Sequence, residues 1–329
     1  MLQCLRMKIL VTGGTGFIGM HLLKALEEDG HSLHILVRSA EKASKVMAHG
    51  APFVGNMQDA SSMEKVLDGV EAVVHAAGVI RGNRPQDFMA GNAGAAESLA
   101  RACLAGGNKV ERIVHLSSLS AFGPAPSDAP PSENDAPAPV SDYGRSKLEA
   151  ERALDRLLPG LRCVHLRLSA VYGPGDRETL SFFKSGRYST AFVPGDGRQK
   201  IQMLYVADAV QSVRQALSLD VEGPFFIAHP RVLTFADLML AVGQAMDKRL
   251  TVIPVHGATV RALAWSNERL GRLLGHRTMF NPQKAREMLS KRWICSTEKA
   301  RNMLNFACAM DFPEGARESY LWYRKNKWL

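Results

Sequence analysis

Tyr143 and Lys147 stand four residues apart, the spacing that places two side chains on one face of a helix. An ammonium beside a phenol favours the phenolate and lowers a tyrosine pKa that is ordinarily about 10. Only a tyrosine shifted in this way serves as an acid or base near neutral pH. The spacing alone says little, because Tyr323 and Lys327 repeat it in the C-terminal tail, where we assign it no chemistry. Tyr143 is distinguished by its place: it follows a fifth predicted strand that ends in Ser118, twenty-five residues earlier.

A second constellation lies near the N-terminus, where Thr12 to Gly19 read TGGTGFIG. An apolar run, Lys8 to Val11, precedes it, and a helical pattern (Phe17, Ile18, Leu22, Leu23, Leu26) follows. Strand, glycine turn and helix are the context of a dinucleotide-binding loop. Glycines let the backbone approach a pyrophosphate, and the helix N-terminus offers unpaired N–H groups to that anion. Gly13, Gly16 and Gly19 fit a three-residue rhythm, and Gly14, Gly16 and Gly19 fit G-x-G-x-x-G.

The elements that must position these groups alternate. A second strand, His31 to Val37, ends at Arg38, where an acidic residue would bind a ribose hydroxyl and an arginine accommodates a 2′-phosphate. Arg38 therefore points to NADP, with Ser39 and Lys42 beside it. A helix (40–48) and a strand (51–54) lead to Gly55, Asn56 and Met57. Another helix (61–67) leads to the strand 72–75, which runs into Ala76, Ala77 and Gly78. A long helix is expected over 85–105, including Asn92, and then the strand 112–116, ending in Ser117, Ser118, Leu119 and Ser120. Such alternation predicts a doubly wound parallel sheet, whose ligands bind at the carboxyl ends of its strands. Residues 123–141, rich in proline and acid, read as a long surface loop bordering that crevice, and a helix follows to about Leu158.

Composition narrows the class. The chain has 329 residues, 46% hydrophobic and 22% charged, as in a globular protein with room for one large domain or a domain and a half. Five scattered cysteines without a C-x-x-C pair argue for reduced thiols in the cytoplasm and against a metal site. No apolar run approaches the ~18 residues of a membrane span, the first ten residues lack a signal-peptide core, and Met7 is an alternative start. The net charge of +9 is spread along the chain without a nucleic-acid-binding signature, so a solvated basic surface is expected rather than a nucleic-acid partner.

Together the motifs resemble the extended short-chain dehydrogenase/reductase family, the NAD(P)-dependent epimerase/dehydratase group, over nearly the whole chain. The resemblance rests on TGGTGFIG, HAAG at 75–78, Asn92, LSSLSAFG at 116–123, YGRSK at 143–147, LRLSAVYGPGD at 166–176 and YVADAV at 205–210. It implies a Rossmann-type α/β fold with a smaller, mostly helical C-terminal substrate lobe. Residues 1–168 with about 204–229 would form the cofactor domain, and about 169–203 with 230–329 the lobe. Tyr143 would be the general acid/base, Lys147 would bind the nicotinamide ribose, and Ser118 would hydrogen-bond the reacting oxygen, with Ser117 or Ser120 as alternatives. Gly13, Gly14, Thr15, Gly16, Phe17, Ile18 and Gly19 would cradle the cofactor. Arg38, Asn56, Met57, Ala76, Ala77, Gly78, Asn92, Ser117 and Val171 would line it. Ser120, Tyr172 and Arg198 would face the substrate.

Departures from the family pattern narrow the chemistry. Leu119 and Ser120 stand where dehydratases carry Asp-Glu, Ala170 where nucleotide-sugar members carry Asn, and Ile201 where they carry an arginine gripping the diphosphate. Arg177, Arg198 and Lys200 are possible substitutes. Phe182, Phe183, Phe192, Met203, Trp265 and Phe280 lean towards a less polar substrate, and Trp293 and Trp322-Tyr323-Arg324 resemble 3β-hydroxysteroid dehydrogenase-like reductases. The expected activity is hydride transfer between NADP(H), or NAD, and a secondary alcohol or ketone. A nucleotide-sugar epimerase is the alternative and a non-catalytic NADPH-binding scaffold the second. A homodimer through helices spanning 92–105 and 146–158 is expected from the resemblance.

Overall fold

A computed structural model describes residues 6–82, 84–105, 109–274 and 280–329; Met1 and Cys4 lie outside the described residues. The first half supplies six strands: β1 (Lys8–Thr12), β2 (Ser32–Val37), β3 (Ala51–Val54), β4 (Ala72–His75), β5 (Arg112–Ser118) and β6 (Arg162–Leu168). Four short strands follow, β7 (Ala170–Tyr172), β8 (Thr190–Pro194), β9 (Lys200–Ile201) and β10 (Met203–Tyr205), before β11 (Gly223–Ile227) returns to the main sheet. The last three are β12 (Leu233–Thr234), β13 (Thr251–Val255) and β14 (Arg292–Trp293). The main sheet has seven strands in the order β3-β2-β1-β4-β5-β6-β11, all parallel. Its order reverses between β1 and β4, the place where a doubly wound sheet opens a crevice for a ligand.

Side-chain alternation divides the sheet into two faces. Ile9, Val11, Val74, Val114, Leu116, Val164 and Leu166 pack under the helices Phe17–Glu28 and Val206–Ser218. Leu10, Val73, Ile113 and Cys163 meet the helices Ala95–Leu104 and Asp142–Leu157 on the other face. Towards the carboxyl ends this second face turns polar. Thr12, His75, His115 and His165 share one register row across four strands, and Ser117 pairs with Arg167 in the row beyond.

The long helix expected over 85–105 is broken by a π-helical turn at Ala90–Gly94, which separates Pro85–Met89 from Ala95–Leu104. The proline-rich loop is tied down: Glu133 Oε1 accepts the Phe226 N–H at 2.7 Å, and the Ser296 N–H reaches Pro131 O at 2.8 Å. In the C-terminal lobe, Phe183, Leu238, Met239, Val242 and Tyr323 form a separate core. That lobe is mostly helical, but it also carries the pair β8–β13 and the small sheet β12-β9-β14, which the helical patterns did not anticipate. A terminal helix, Phe312–Lys325, closes it. No helix among the described residues is long and apolar enough to cross a membrane.

Candidate active site

The glycine loop is shaped by close backbone approach. Gly13 has φ +77°, and a Cβ there would lie 2.5 Å from the Ala77 nitrogen at the end of β4. A Cβ on Gly19 would lie 2.2 Å from the Gly13 carbonyl oxygen, so only glycine lets the helix start against the loop. At Gly16 a Cβ would meet one atom, the Gly13 oxygen at 3.2 Å. Gly16 caps the helix Phe17–Glu28, whose first turn has neither a side-chain cap nor an acidic residue. Its orphan N–H groups and positive dipole end therefore suit a pyrophosphate, and the loop fits a dinucleotide. Thr15 and Phe17 are half-buried beside Gly16, whereas the Ile18 side chain packs into the core, leaving only its backbone for a ligand.

The other positions expected to line a cofactor follow the ends of neighbouring strands. Arg38 is exposed just past β2, and Ser39 beside it caps the next helix. Past β3, Asn56 is exposed and its Oδ1 accepts the Gln58 N–H, while Met57 packs against the sheet. Ala76 to Gly78 continue from β4. Asn92 differs from expectation: its side chain is spent on the protein. Oδ1 accepts the Val79 N–H at 2.7 Å, and Nδ2 donates to Val79 O at 3.0 Å and to Ser146 Oγ at 2.8 Å. Asn92 thus ties the post-β4 loop to the helix Asp142–Leu157 and positions the crevice from below.

Ser118 and Tyr143, the groups expected to react, meet where β5 ends. Ser118 caps the short helix Leu119–Phe122, and the Ser120 N–H donates to Ser118 Oγ at 3.1 Å. The helix carrying Tyr143 lies directly against this turn, because a Cβ at Gly144 would come within 2.2 Å of the Ser120 oxygen. Gly144 thereby lets the Tyr143 side chain come up beside Ser118. Burial pushes the Tyr143 phenol up to about 12; the neighbouring Ser118 hydroxyl opposes this and the Glu287 carboxylate adds to it. Tyr143 is therefore protonated at neutral pH, the form that donates a proton to a carbonyl.

Lys147 does not act on Tyr143 at rest as expected. Its ammonium turns towards the sheet and donates to Leu116 O at 2.7 Å and to His115 Nε2 at 2.8 Å. Burial lowers Lys147 to about 8, with Glu151 opposing. Two of its three N–H bonds are so used, and the third has no partner among the described residues.

Ser117 also needs correction. It is the neighbour of Ser118 on a strand and so points to the opposite face; its hydroxyl donates to Glu151 within the protein. Glu151 is further held by Arg167, whose Nη2 donates at 2.7 Å, and both side chains are buried. Breaking such a pair costs about 3–5 kcal/mol, so Ser117, Glu151 and Arg167 clamp the helix Asp142–Leu157 onto β5 and β6. Sequence reading missed this clamp and the histidine row. The signals were present: Tyr143, Lys147, Glu151 and Asp155 recur every four residues, and His115/Ser117 and His165/Arg167 repeat at the strand period.

On the substrate side, Val171 packs partly against the sheet core. Tyr172 is 2% exposed, its ring against Tyr205 and Phe312 and its hydroxyl donating to Asp311 O at 3.4 Å. Aromatic packing has taken it into the lobe core, away from a substrate. Arg198 is exposed in the turn between β8 and β9. Of the other cations, Lys200 pairs with Asp128 at 3.1 Å and Arg177 lies over the Trp328 ring. The helix Pro282–Leu289 reaches over the site: Gln283 Oε1 accepts the Asp142 N–H at 2.7 Å.

The sequence model of the NAD dependent epimerase/dehydratase family matches residues 9–226. The chain belongs to that family. It is accordingly an enzyme that uses a nicotinamide dinucleotide, NAD at the coarsest level. A ceramide reductase of Caulobacter vibrioides is 28% identical, covering 98% of this chain and 96% of its own. The 4-hydroxy-2-methyl-3-oxo-4-farnesyl-3,4-dihydroquinoline-1-oxide ketoreductase of Stigmatella aurantiaca is 27% identical over 94% of each. Among solved structures, MoeE5 in complex with UDP-glucuronic acid and NAD superposes with a TM-score of 0.76 over 97% of this chain and 99% of its own, at 24% identity. At that identity the likeness shows the fold alone.

Proposed function

We propose that this protein reduces a ketone on a largely apolar molecule, or oxidises the matching secondary alcohol, with NADP(H). The observation that carries the reading is the Ser118–Tyr143 pair at the end of β5, with a phenol that stays protonated at neutral pH. When bound, the nicotinamide supplies or accepts the hydride. Ser118 orients the reacting oxygen, Tyr143 gives it a proton, and the free N–H of Lys147 holds the ribose and answers the charge left on Tyr143. Positioned proton transfer of this kind contributes about 10²–10⁴ in rate.

Reduction is favoured over sugar epimerisation by the substrate side. Ile201 is half-buried against the lobe core and offers no cation, and Lys200 is engaged by Asp128. Losing a charge-assisted contact to a diphosphate costs about 1.5–3 kcal/mol of binding. Both relatives named above that match end to end are reductases. The test is turnover of NADPH with long-chain ketones set against UDP-sugars. Oxidation of NADPH by the ketones supports the reading, and interconversion of UDP-sugars with tightly held NAD overturns it.

The NADP preference rests on Arg38, exposed at the ribose end of the crevice. Arg38→Asp should weaken NADPH about 10–100-fold and leave NADH within about threefold, measured by fluorescence titration. A homodimer through Ala95–Leu104 and Asp142–Leu157 belongs to the same proposal. It is supported by Leu104, 62% exposed at the end of the first helix, and sedimentation tests it.

A further inference from the structure

The polar row under the active site is a continuous chain of hydrogen bonds. It begins at Lys147 Nζ, 2.8 Å from His115 Nε2. His115 Nδ1 is 3.3 Å from His165 Nδ1, and His165 Nε2 is 2.8 Å from Asp155 Oδ1. His115 is 0% exposed, His165 1% and Lys147 3%, whereas the Asp155 side chain is 56% exposed. The chain thus starts at a buried active-site ammonium and ends on a carboxylate in water.

We propose that His115, His165 and Asp155 form a proton path joining Lys147 to solvent. The path rests on the proposed oxidoreductase reading for its use, since that reaction, run as alcohol oxidation, releases one proton per hydride, but its existence is read from geometry alone. The donors and acceptors fit without a gap. An ammonium can only donate, so His115 Nε2 accepts and His115 Nδ1 carries the hydrogen. His165 Nδ1 then accepts, and His165 Nε2–H donates to the Asp155 carboxylate.

One concerted shift moves a proton outward. N–H bonds break at Lys147 Nζ, His115 Nδ1 and His165 Nε2, while bonds to hydrogen form at His115 Nε2, His165 Nδ1 and Asp155 Oδ1. Lys147 becomes neutral, Asp155 becomes protonated, both rings exchange tautomers, and no electron moves. The reverse shift recharges Lys147 from a protonated Asp155 and starts from the exchanged tautomers, with hydrogens on His115 Nε2 and His165 Nδ1; from the resting tautomers the path runs outward, the direction that alcohol oxidation requires.

The surroundings keep the path from trapping a proton. His115 is faced by Lys147, His75 and His165, and burial with these neighbours holds it well below its ordinary pKa. His75 stacks on His115 with ring centres 5.3 Å apart and bonds Thr12 Oγ1 at 2.8 Å, so it is a wall of the path rather than a link. Glu151, the next carboxylate along the helix, is occupied by Ser117 and Arg167 and offers no competing exit. An ordinary structural role would need Lys147 only on Leu116 O; it does not call for two aligned imidazoles and an exposed carboxylate.

The test uses the full chain with ¹⁵N-labelled histidine. Long-range nitrogen spectra should show His115 as the Nδ1–H tautomer and His165 as Nε2–H. Their ring protons, though buried, should exchange with water at least tenfold faster than in Asp155→Asn, which keeps an acceptor for His165 but takes up no proton. Opposite tautomers, or equal exchange in the two proteins, would overturn the path. His165→Gln, which interrupts the imidazole row, should slow exchange at His115 to the same degree, and unchanged exchange there also overturns it. With a secondary alcohol and oxidised cofactor, Asp155→Asn should lose turnover severalfold and regain it on adding imidazole buffer. A protein that turns over no ketone fails the reductase reading while the exchange measurement still decides the path.

Discussion

Tyr143–Lys147 and Tyr323–Lys327 share one spacing and almost nothing else. Tyr143 is a first-turn residue of a helix pressed against the end of β5, beside Ser118 and half-buried in the crevice. Tyr323 is 0% exposed in the lobe core, stacked on Trp328, with its hydroxyl donating to Asp176 O at 2.7 Å. Lys147 is buried on a polar sheet face, whereas Lys327 lies beyond the helix end, exposed, with φ +58°. A four-residue spacing is therefore only permission. Chemistry requires that the shared face meet an open crevice on one side and polar partners on the other, and only the first pair has both.

The largest separation between the pairs should come from removing each hydroxyl. Tyr143→Phe should lower turnover about 10²–10⁴-fold with cofactor affinity little changed. Tyr323→Phe should leave turnover within about twofold and cost about 1–2 kcal/mol of stability, since the Asp176 carbonyl loses its partner. Steady-state rates and urea unfolding of both variants measure the contrast. Equal loss of turnover in the two would remove the distinction.

How much of this was legible in sequence follows from what kind of signal each part leaves. The strands β1 to β6 and the shape of the glycine loop were readable because apolar runs and glycines are local, and fixed spacings were enough to bring Ser118 and Tyr143 to one place in the fold. Asn92 and Ser117 were placed in the right region but given the wrong work. Whether a side chain turns to ligand or to protein depends on partners such as Val79 and Glu151, distant in the chain. Tyr172 was misplaced for a similar reason, because its neighbours Tyr205 and Phe312 come from two other elements. The short strands β8, β9, β12, β13 and β14 carry too few residues to show a period and are defined only by pairing.

The polar face beneath Lys147 should appear in acid, and its counterpart beneath Tyr323 should not. Burial lowers His75 to about 3 and holds His115 well below its ordinary value. Unfolded histidine takes up a proton below about pH 6.5 that these rings refuse. The stability they contribute is complete above that pH and is lost as pH falls towards 3, by about 1.4 kcal/mol per pH unit for each ring. Urea midpoints of His75→Gln should fall less steeply with acid than those of the parent, and a parallel curve would refute the assignment. Lys147 works in the same sense in a higher window: burial lowers its pKa to about 8, so the cost of burying its charge is relieved as pH rises above 8.

The smallest effect is expected at Lys327, and it sharpens the contrast because it is small for a stated reason. A non-glycine residue in the left-handed region costs about 1–2 kcal/mol relative to its usual conformation. Glycine removes that cost but adds freedom to the unfolded chain worth about 0.4–1 kcal/mol, so Lys327→Gly should change stability by about 0–1.6 kcal/mol, towards stabilisation. The Lys327 backbone N–H, which reaches Arg324 O at 3.2 Å, is kept in the variant. Cofactor affinity and turnover should not move, whereas Lys147→Gly would strip His115 Nε2 and Leu116 O of their donor and empty the floor of the crevice. Thermal unfolding and NADPH titration of Lys327→Gly read both quantities. A fall in cofactor affinity there would give the tail a role that its solvent-facing geometry does not support.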